Sequence, residues 1–258
     1  MDQIILSSNE DPKYLSFWPY VADAYKKMFP EAIVHLALLT WRDNNDPMIA
    51  AMREHGFVTT FQPVGGVAEF GQAKMIRFLL ASQQDTQVCY IDDIDLFPLK
   101  KTFITNKLSQ RPPNVLLCVG GEVYGNNGCY PVSQMTAEGH VWKKFINPND
   151  EPYDQLIENW SKPGELDERE EITIKLDFAQ DKYFSDERLI RKLRKDNPVP
   201  IKEVQRGYGN YMSATLDRAG WELNQGKLDR HKYENAHCCR PFDIDQMRPL
   251  IEYIENNY

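Results

Sequence analysis

The chain has 258 residues, of which 26% are charged, with a formal net charge of −8 and an isoelectric point near 5.2. That balance argues against a polyanionic partner, because nucleic-acid binding relies on clustered Lys and Arg to release counterions. No apolar run approaches the ~20 residues of a membrane helix, and the five cysteines are an odd number without Cys-x-x-Cys spacing, which predicts free thiols in a reducing compartment. Met1 to Leu6 has no basic region and no cleavable apolar segment, so the expectation is a soluble, cytoplasmic protein. The length allows one large α/β domain or two small ones.

Ile4 to Leu6 is an apolar segment closed by Ser7-Ser8-Asn9 and reads as a first strand. Asp11-Pro12 then supplies an N-cap with proline in the first helical turn. Tyr14, Leu15, Trp18, Val21, Ala22 and Tyr25 recur at helical spacing, which predicts one amphipathic helix to about Met28. Ala32 to Leu39 is a second β-rich run, ended by Thr40-Trp41-Arg42-Asp43; Asp46-Pro47 starts another helix, Gly56 stops it, and Phe57 to Phe61 reads as a third strand. Such alternation implies right-handed crossovers and a parallel sheet. After Gly65-Gly66 a helix from about Glu69 to Ser82 leads into Val88 to Pro98, Val-Cys-Tyr-Ile-Asp-Asp-Ile-Asp-Leu-Phe-Pro.

This last stretch organises the reading. Its first half is apolar and fits a short buried strand, yet Asp92, Asp93 and Asp95 stand at its C-terminal end. Three carboxylates there repel one another and resist dehydration unless a cation or donors compensate them. Open α/β sheets bind ligands beyond the carboxyl ends of their strands. Hard oxygen ligands in that place suit Mg²⁺ or Mn²⁺ with a diphosphate completing the shell, so Asp93-Ile94-Asp95 reads as a metal-diphosphate clamp. A bare Asp-x-Asp is otherwise a common turn or cap, and placement at a strand end is what distinguishes this one. Neither a Gly-x-Gly-x-x-Gly nor a P-loop motif is present, which speaks against dinucleotide and P-loop readings.

Beyond Pro98, Asn114 to Val119 reads as a strand, Gly120-Gly121 and Gly125 to Gly128 as turns, and Cys129-Tyr130-Pro131 as the start of another strand. Helices are predicted over Ala137 to Ile146, Asp154 to Trp160 and, after a Ser185 cap, Arg188 to Leu193. A polar tail with His231, His237, Cys238, Cys239 and Arg240 precedes a final helix from Asp243 to about Tyr253. No linker divides the chain. Residues 1–100 read as a nucleotide-binding half, and 101–258 as the rest of the same domain.

Taken together, Ser7-Ser8-Asn9-Glu10-Asp11-Pro12, the Gly71 to Arg77 helix, Ile91 to Pro98 with its Asp-x-Asp, Ser185-Asp186-Glu187 and His237-Cys238-Cys239-Arg240-Pro241 resemble the glycosyltransferases of the GT-A fold, and among them small bacterial and viral members. The resemblance implies a single α/β domain with a Rossmann-like, mainly parallel sheet flanked by helices. It further implies transfer of a sugar from a nucleotide-sugar donor, UDP-linked by preference and GDP-linked as the other option, to a glycan or other hydroxyl acceptor, with Mn²⁺ or Mg²⁺. By the same resemblance Asp95 is the direct metal ligand, Asp93 its partner toward ribose or metal, and His237 completes the shell. Ser7, Ser8 or Arg42 would contact the nucleobase, and Lys74 or Arg77 the diphosphate or sugar.

An inverting enzyme of this kind needs a carboxylate within hydrogen-bond reach of the acceptor hydroxyl. Asp186 is the first candidate and Glu187 the second, although acids after a Ser cap also favour a helix start for purely structural reasons. His231, His237, Cys238 and Cys239 do not make a zinc site, since adjacent cysteines cannot readily serve one tetrahedral ion. A nucleotidyltransferase-like metal enzyme and a non-catalytic nucleotide or carbohydrate-binding module are the competing readings.

Overall fold

A computed structural model describes residues 1–120, 131–161, 189–190, 193–194, 196–197, 199–205 and 214–258. The strands of the predicted alternation are β1 (Gln3–Asn9), β2 (Ile33–Leu39), β3 (Phe57–Phe61) and β4 (Val88–Ile91). They lie side by side in the order β3-β2-β1-β4, all parallel, as right-handed crossovers require. The predicted helix over 12–28 is instead two, α1 (Pro12–Leu15) and α2 (Trp18–Met28), with Ser16 and Phe17 between them. Pro19 is the reason: it has no N–H, and its ring would strike the carbonyl four residues back in a continuous helix, whereas in the first turn of α2 it costs nothing.

α3 (Pro47–Arg53) starts on the Asp46 cap, whose carboxylate accepts from the Met48 N–H at 2.8 Å. Gly56 follows it for lack of room, because a Cβ there would come within 2.7 Å of the Val34 carbonyl and 2.9 Å of the Trp18 ring. α4 (Glu69–Ser82) has the predicted bounds. The buried Gln72 carboxamide ties the preceding Gly65-Gly66 loop to this helix, accepting from Val64 N and donating to the Val64 and Val67 carbonyls at 2.7 to 2.9 Å.

After β4 the pattern departs from the expectation. The chain leaves the large sheet as β5 (Leu96–Pro98), continues through α5 (Lys101–Leu108), and returns as β6 (Leu116–Val119). Met135 to Glu138, half of it expected to be helical, is β7 (Met135–Glu138), inserted antiparallel between β4 and β6. The helix proper, α6 (Gly139–Ile146), starts only at the glycine. α7 (Tyr153–Ser161) matches the expectation, and β8 (Ile201–Val204) runs parallel to β6 as the far edge of a seven-stranded sheet.

The C-terminal segment supplies β9 (Thr215–Asp217), α8 (Gln225–Asp229), β10 (Asn235–His237) and α9 (Ile244–Asn257), the last capped by Asp243. β5, β10 and β9 form a separate three-stranded sheet with β10 in the centre. Alternation along the central strands sends Ile4, Leu6, Leu36 and Leu38 into one buried cluster with Trp18, Tyr25, Phe97 and Leu250. Ile5, Ala37, Cys89 and Ile91 face a second cluster with Met75, Phe78 and Trp142. A sheet covered on both faces explains why its strands read as continuous apolar runs.

Candidate active site

The parallel strands end on one rim, and β4 places the acids there. Asp92 is the most enclosed, at 1% exposure. Its Oδ2 accepts from the phenols of Tyr25 at 2.6 Å and Tyr90 at 3.1 Å, and its Oδ1 from the Asp93 N–H at 2.9 Å. Burial, with Asp93 beside it, pushes the Asp92 carboxyl up to about 7 against these donors. Asp92 therefore fixes the end of β4 and faces the protein, not the rim. Burial also lifts the Tyr25 phenol well above its ordinary value, so it remains a donor.

Asp93 is open to solvent on about a third of its side chain. The buried Arg77 guanidinium, carried by α4, donates to Asp93 Oδ1 at 2.5 Å and to the Asp92 carbonyl at 3.0 Å. Burial opposes ionisation of Asp93, but Arg77, reinforced by His237 and Lys74, holds its carboxyl at about 2.

Asp95 is placed by strand register. β5 pairs with β10 so that Leu96 faces His237, the Cys238 N–H donates to the Asp95 carbonyl at 2.8 Å, and β10 sets His237 beside Asp217 of β9. Asp95 Oδ2 accepts from Arg218 Nη1 at 2.8 Å and forms an ion pair with Arg240 Nε at 3.1 Å, with His237 Nε2 at 3.7 Å. Burial and Asp93 raise the Asp95 carboxyl, against the pull of His237, Arg240 and Arg218. On its far side His237 Nδ1 lies 3.5 Å from Asp217 Oδ2, while Asp217 Oδ1 caps the Arg218–Gly220 turn through the Ala219 N–H at 2.8 Å. A carboxylate behind an imidazole is the arrangement that orients a metal-ligating histidine.

His237, distant in sequence from Asp93 and Asp95, is thus brought beside Asp95 and within electrostatic reach of Asp93. Their donor chemistry, two carboxylates and an imidazole, fits a divalent ion such as Mn²⁺. As the side chains stand, no three His, Cys, Asp or Glu groups among the described residues converge closely enough to hold one. The physical obstacle is visible, since two guanidiniums stand against Asp95 Oδ2, Arg218 hydrogen-bonded to it and Arg240 in an ion pair.

The other expected residues are distributed along the same rim. Ser7 and Ser8 end β1, both buried, and the Ser8 hydroxyl donates to the Asn9 carbonyl at 2.8 Å. Arg42, past the end of β2, is held by Glu10 at 2.8 Å and Asp46 at 2.9 Å. Lys74 lies 4.8 Å from the centre of the Phe70 ring. Asp186 and Glu187, the expected bases, lie outside the described residues.

Sequence reading missed Arg218, Asp217 and the role of Arg240. The pairing of β9 with β10 alone makes Arg218 and Asp217 part of the site, and Thr-Leu-Asp-Arg has no motif to reveal it. Tyr14, half-buried against the core, anchors Arg240, accepting from its Nη1 at 2.5 Å with the guanidinium 4.9 Å from the ring centre.

No family model matches the chain, and no curated protein matches it. Solved structures do. Galactosyltransferase LgtC in complex with donor and acceptor sugar analogs aligns over 98% of this chain and 95% of that one, with 12% identity and a TM-score of 0.50. The fold is GT-A-like. A second LgtC structure, of an active-site mutant, covers 98% of this chain and 94% of that one at 11% identity and a TM-score of 0.49. The glycosyltransferase GlyE of Streptococcus pneumoniae TIGR4 aligns over 79% of this chain at 10% identity and a TM-score of 0.45, and the chain spans only 46% of its length. In this GT-A-like sheet the acid cluster sits where β4 passes into the smaller sheet.

Proposed function

We propose that the protein is a glycosyltransferase that moves a sugar from a nucleotide-sugar donor, with UDP favoured and GDP the second option, to a hydroxyl acceptor such as a glycan. The observation that carries this reading is the juxtaposition of Asp93, Asp95 and His237 with Arg218 and Arg240 at the C-terminal end of β4. Carboxylates and cations alternating on one rim can hold a diphosphate and balance its charge.

Asp93, Asp95 and His237 would hold Mn²⁺ or Mg²⁺, which would supply Lewis-acid stabilisation of the departing diphosphate. Asp217 keeps the His237 ring turned toward Asp95. Arg77 holds Asp93 ionised and immobile. Ser7, Ser8 and Arg42 are assigned to the nucleobase end and Lys74 to the diphosphate or sugar. Asp186, or failing it Glu187, takes the acceptor proton if the reaction inverts configuration. Residues 1–100 form the donor half and 101–258 the acceptor half of one domain. The free, buried Cys89, Cys118 and Cys238 suit a cytoplasmic location, and no helix among the described residues is long and apolar enough to cross a membrane.

The test is product analysis. Incubation with a panel of nucleotide sugars and Mn²⁺ should release nucleoside diphosphate from one donor, slowly without acceptor. Asp95→Ala should abolish that release while the circular dichroism spectrum is kept. Pyrophosphate released in a parallel incubation with nucleoside triphosphates and sugar 1-phosphates would identify a nucleotidyltransferase, and binding with no product in either incubation a non-catalytic module.

A further inference from the structure

Asp95 is both the carboxylate a divalent ion would need and the carboxylate two arginines already hold. Its side chain is 7% exposed, and both arginines pair with the same Oδ2, Arg218 through a hydrogen bond at 2.8 Å and Arg240 through an ion pair at 3.1 Å. An oxygen that carries one charge-assisted hydrogen bond and a second guanidinium at 3.1 Å would bring a divalent cation against two positive charges, so binding of an ion through Oδ2 requires one guanidinium to move.

The two are not equally easy to move. Arg240 is clamped by Tyr14, through the hydroxyl at 2.5 Å and the ring face at 4.9 Å. Arg218 opens a three-residue 3₁₀ turn and is 33% exposed, and Asp95 is the partner of its side chain among the described residues. We propose that Arg218 is an internal counter-ion for Asp95 that a divalent cation must displace, and that the displaced guanidinium then binds the diphosphate of the donor. This inference rests on the glycosyltransferase reading of the site.

The exchange has a physical logic at each end. Without an ion, Arg218 spares Asp95 an uncompensated burial of charge. With the ion in place, a guanidinium close to it would be repelled, and a pair of phosphate oxygens can accept bidentately from the planar guanidinium fork. Ion and nucleoside diphosphate therefore bind as a coupled pair, each raising the affinity of the other, and Arg218 carries part of that coupling.

Removing Arg218 should then move two affinities in opposite directions. In isothermal titration calorimetry and Mn²⁺ electron paramagnetic resonance, Arg218→Met should bind Mn²⁺ alone at least tenfold more tightly than the wild type. The same variant should bind UDP or GDP alone more weakly, and saturating nucleotide should enhance its Mn²⁺ affinity less. Arg218→Gln is a second neutral variant with the same expectation should the Met variant fail to fold, and Arg218→Lys, which keeps the charge, should stay near the wild type for Mn²⁺. Unchanged or weaker Mn²⁺ binding in the folded neutral variants, or no Mn²⁺ binding by any form, overturns the proposal. Donor cleavage by the wild type separates the two readings. If nucleoside diphosphate is released while Mn²⁺ affinity ignores residue 218, the counter-ion role falls and the transferase stands; if no donor is cleaved, the transferase reading falls on its own evidence.

Discussion

At the scale of single residues, Asp92 and Asp93 are neighbours with opposite electrostatics. The Asp92 carboxyl has phenol donors but, among the described residues, no ion-pair partner, so desolvation wins and it rises to about 7; Asp93 has Arg77, and its carboxyl falls to about 2. The consequences for stability have opposite signs. The raised Asp92 value favours folding at acid pH, and that contribution is complete below the ordinary carboxylate range and lost as pH climbs to about 7. The loss could reach roughly 4 kcal/mol for a shift of this size. The Asp93 contribution is present above the ordinary range and disappears as pH falls toward about 2. Urea unfolding of metal-free protein from pH 4 to 8 should show the wild type losing stability relative to Asp92→Asn as pH rises. Curves that stay parallel would mean that Asp92 does not carry this ionisation cost.

Among the elements, β7 and the short β5-β10-β9 sheet decide the site, and they were the elements least visible beforehand. Met135-Thr136-Ala137-Glu138 lacks the length and alternation of the other strands, and it is a strand because β4 and β6 on either side satisfy its backbone groups. Its turn into α6 depends on Gly139, where a Cβ would lie 2.5 Å from the Asp85 nitrogen and 2.6 Å from its carbonyl oxygen. The backbone there is already committed, with Gly139 N–H donating to Gln87 at 3.0 Å and His140 N–H to Asp85 at 2.6 Å. Gly139→Ala should therefore destabilise the protein by about 1 to 3 kcal/mol through overpacking, read as a lower urea midpoint. A midpoint equal to the wild type would show that the α4–β4 connection can yield. By contrast the starts of α3, α4 and α9 were legible to within a residue, because the aspartate caps of α3 and α9 and the apolar spacing of α4 are local signals, although α9 runs to Asn257, past the expected end near Tyr253.

For the whole molecule, two buried clusters clamp the seven-stranded sheet between them, while the rim holds opposed charges in close contact. A ligand that binds only this folded arrangement should raise its stability. At a hundred times the dissociation constant the gain is about 2.7 kcal/mol, a shift of roughly 5–11 °C in Tm at about 2–4 °C per kcal/mol for a chain of this size. UDP or GDP with Mn²⁺ should produce it in a thermal-shift assay, and Asp95→Ala should remove it. The absence of a shift with any nucleoside diphosphate, with or without Mn²⁺, would count against the proposed function.

What the amino-acid order settled alone was whatever depends on neighbours along the chain. The β-α alternation of the first hundred residues, the proline and aspartate helix starts, and the acids at the end of β4 are all of this kind, because caps, periodicity and strand ends act over a few residues. What only the folded chain decided was which distant groups answer those acids. Arg77, Arg218, His237 and Arg240 come from three separate elements and the connection after the last of them, and strand register and helix packing bring them to Asp93 and Asp95. A hydrogen-bonded pairing across more than a hundred residues leaves no periodic trace in the sequence, so the charge balance of the site became readable only in three dimensions.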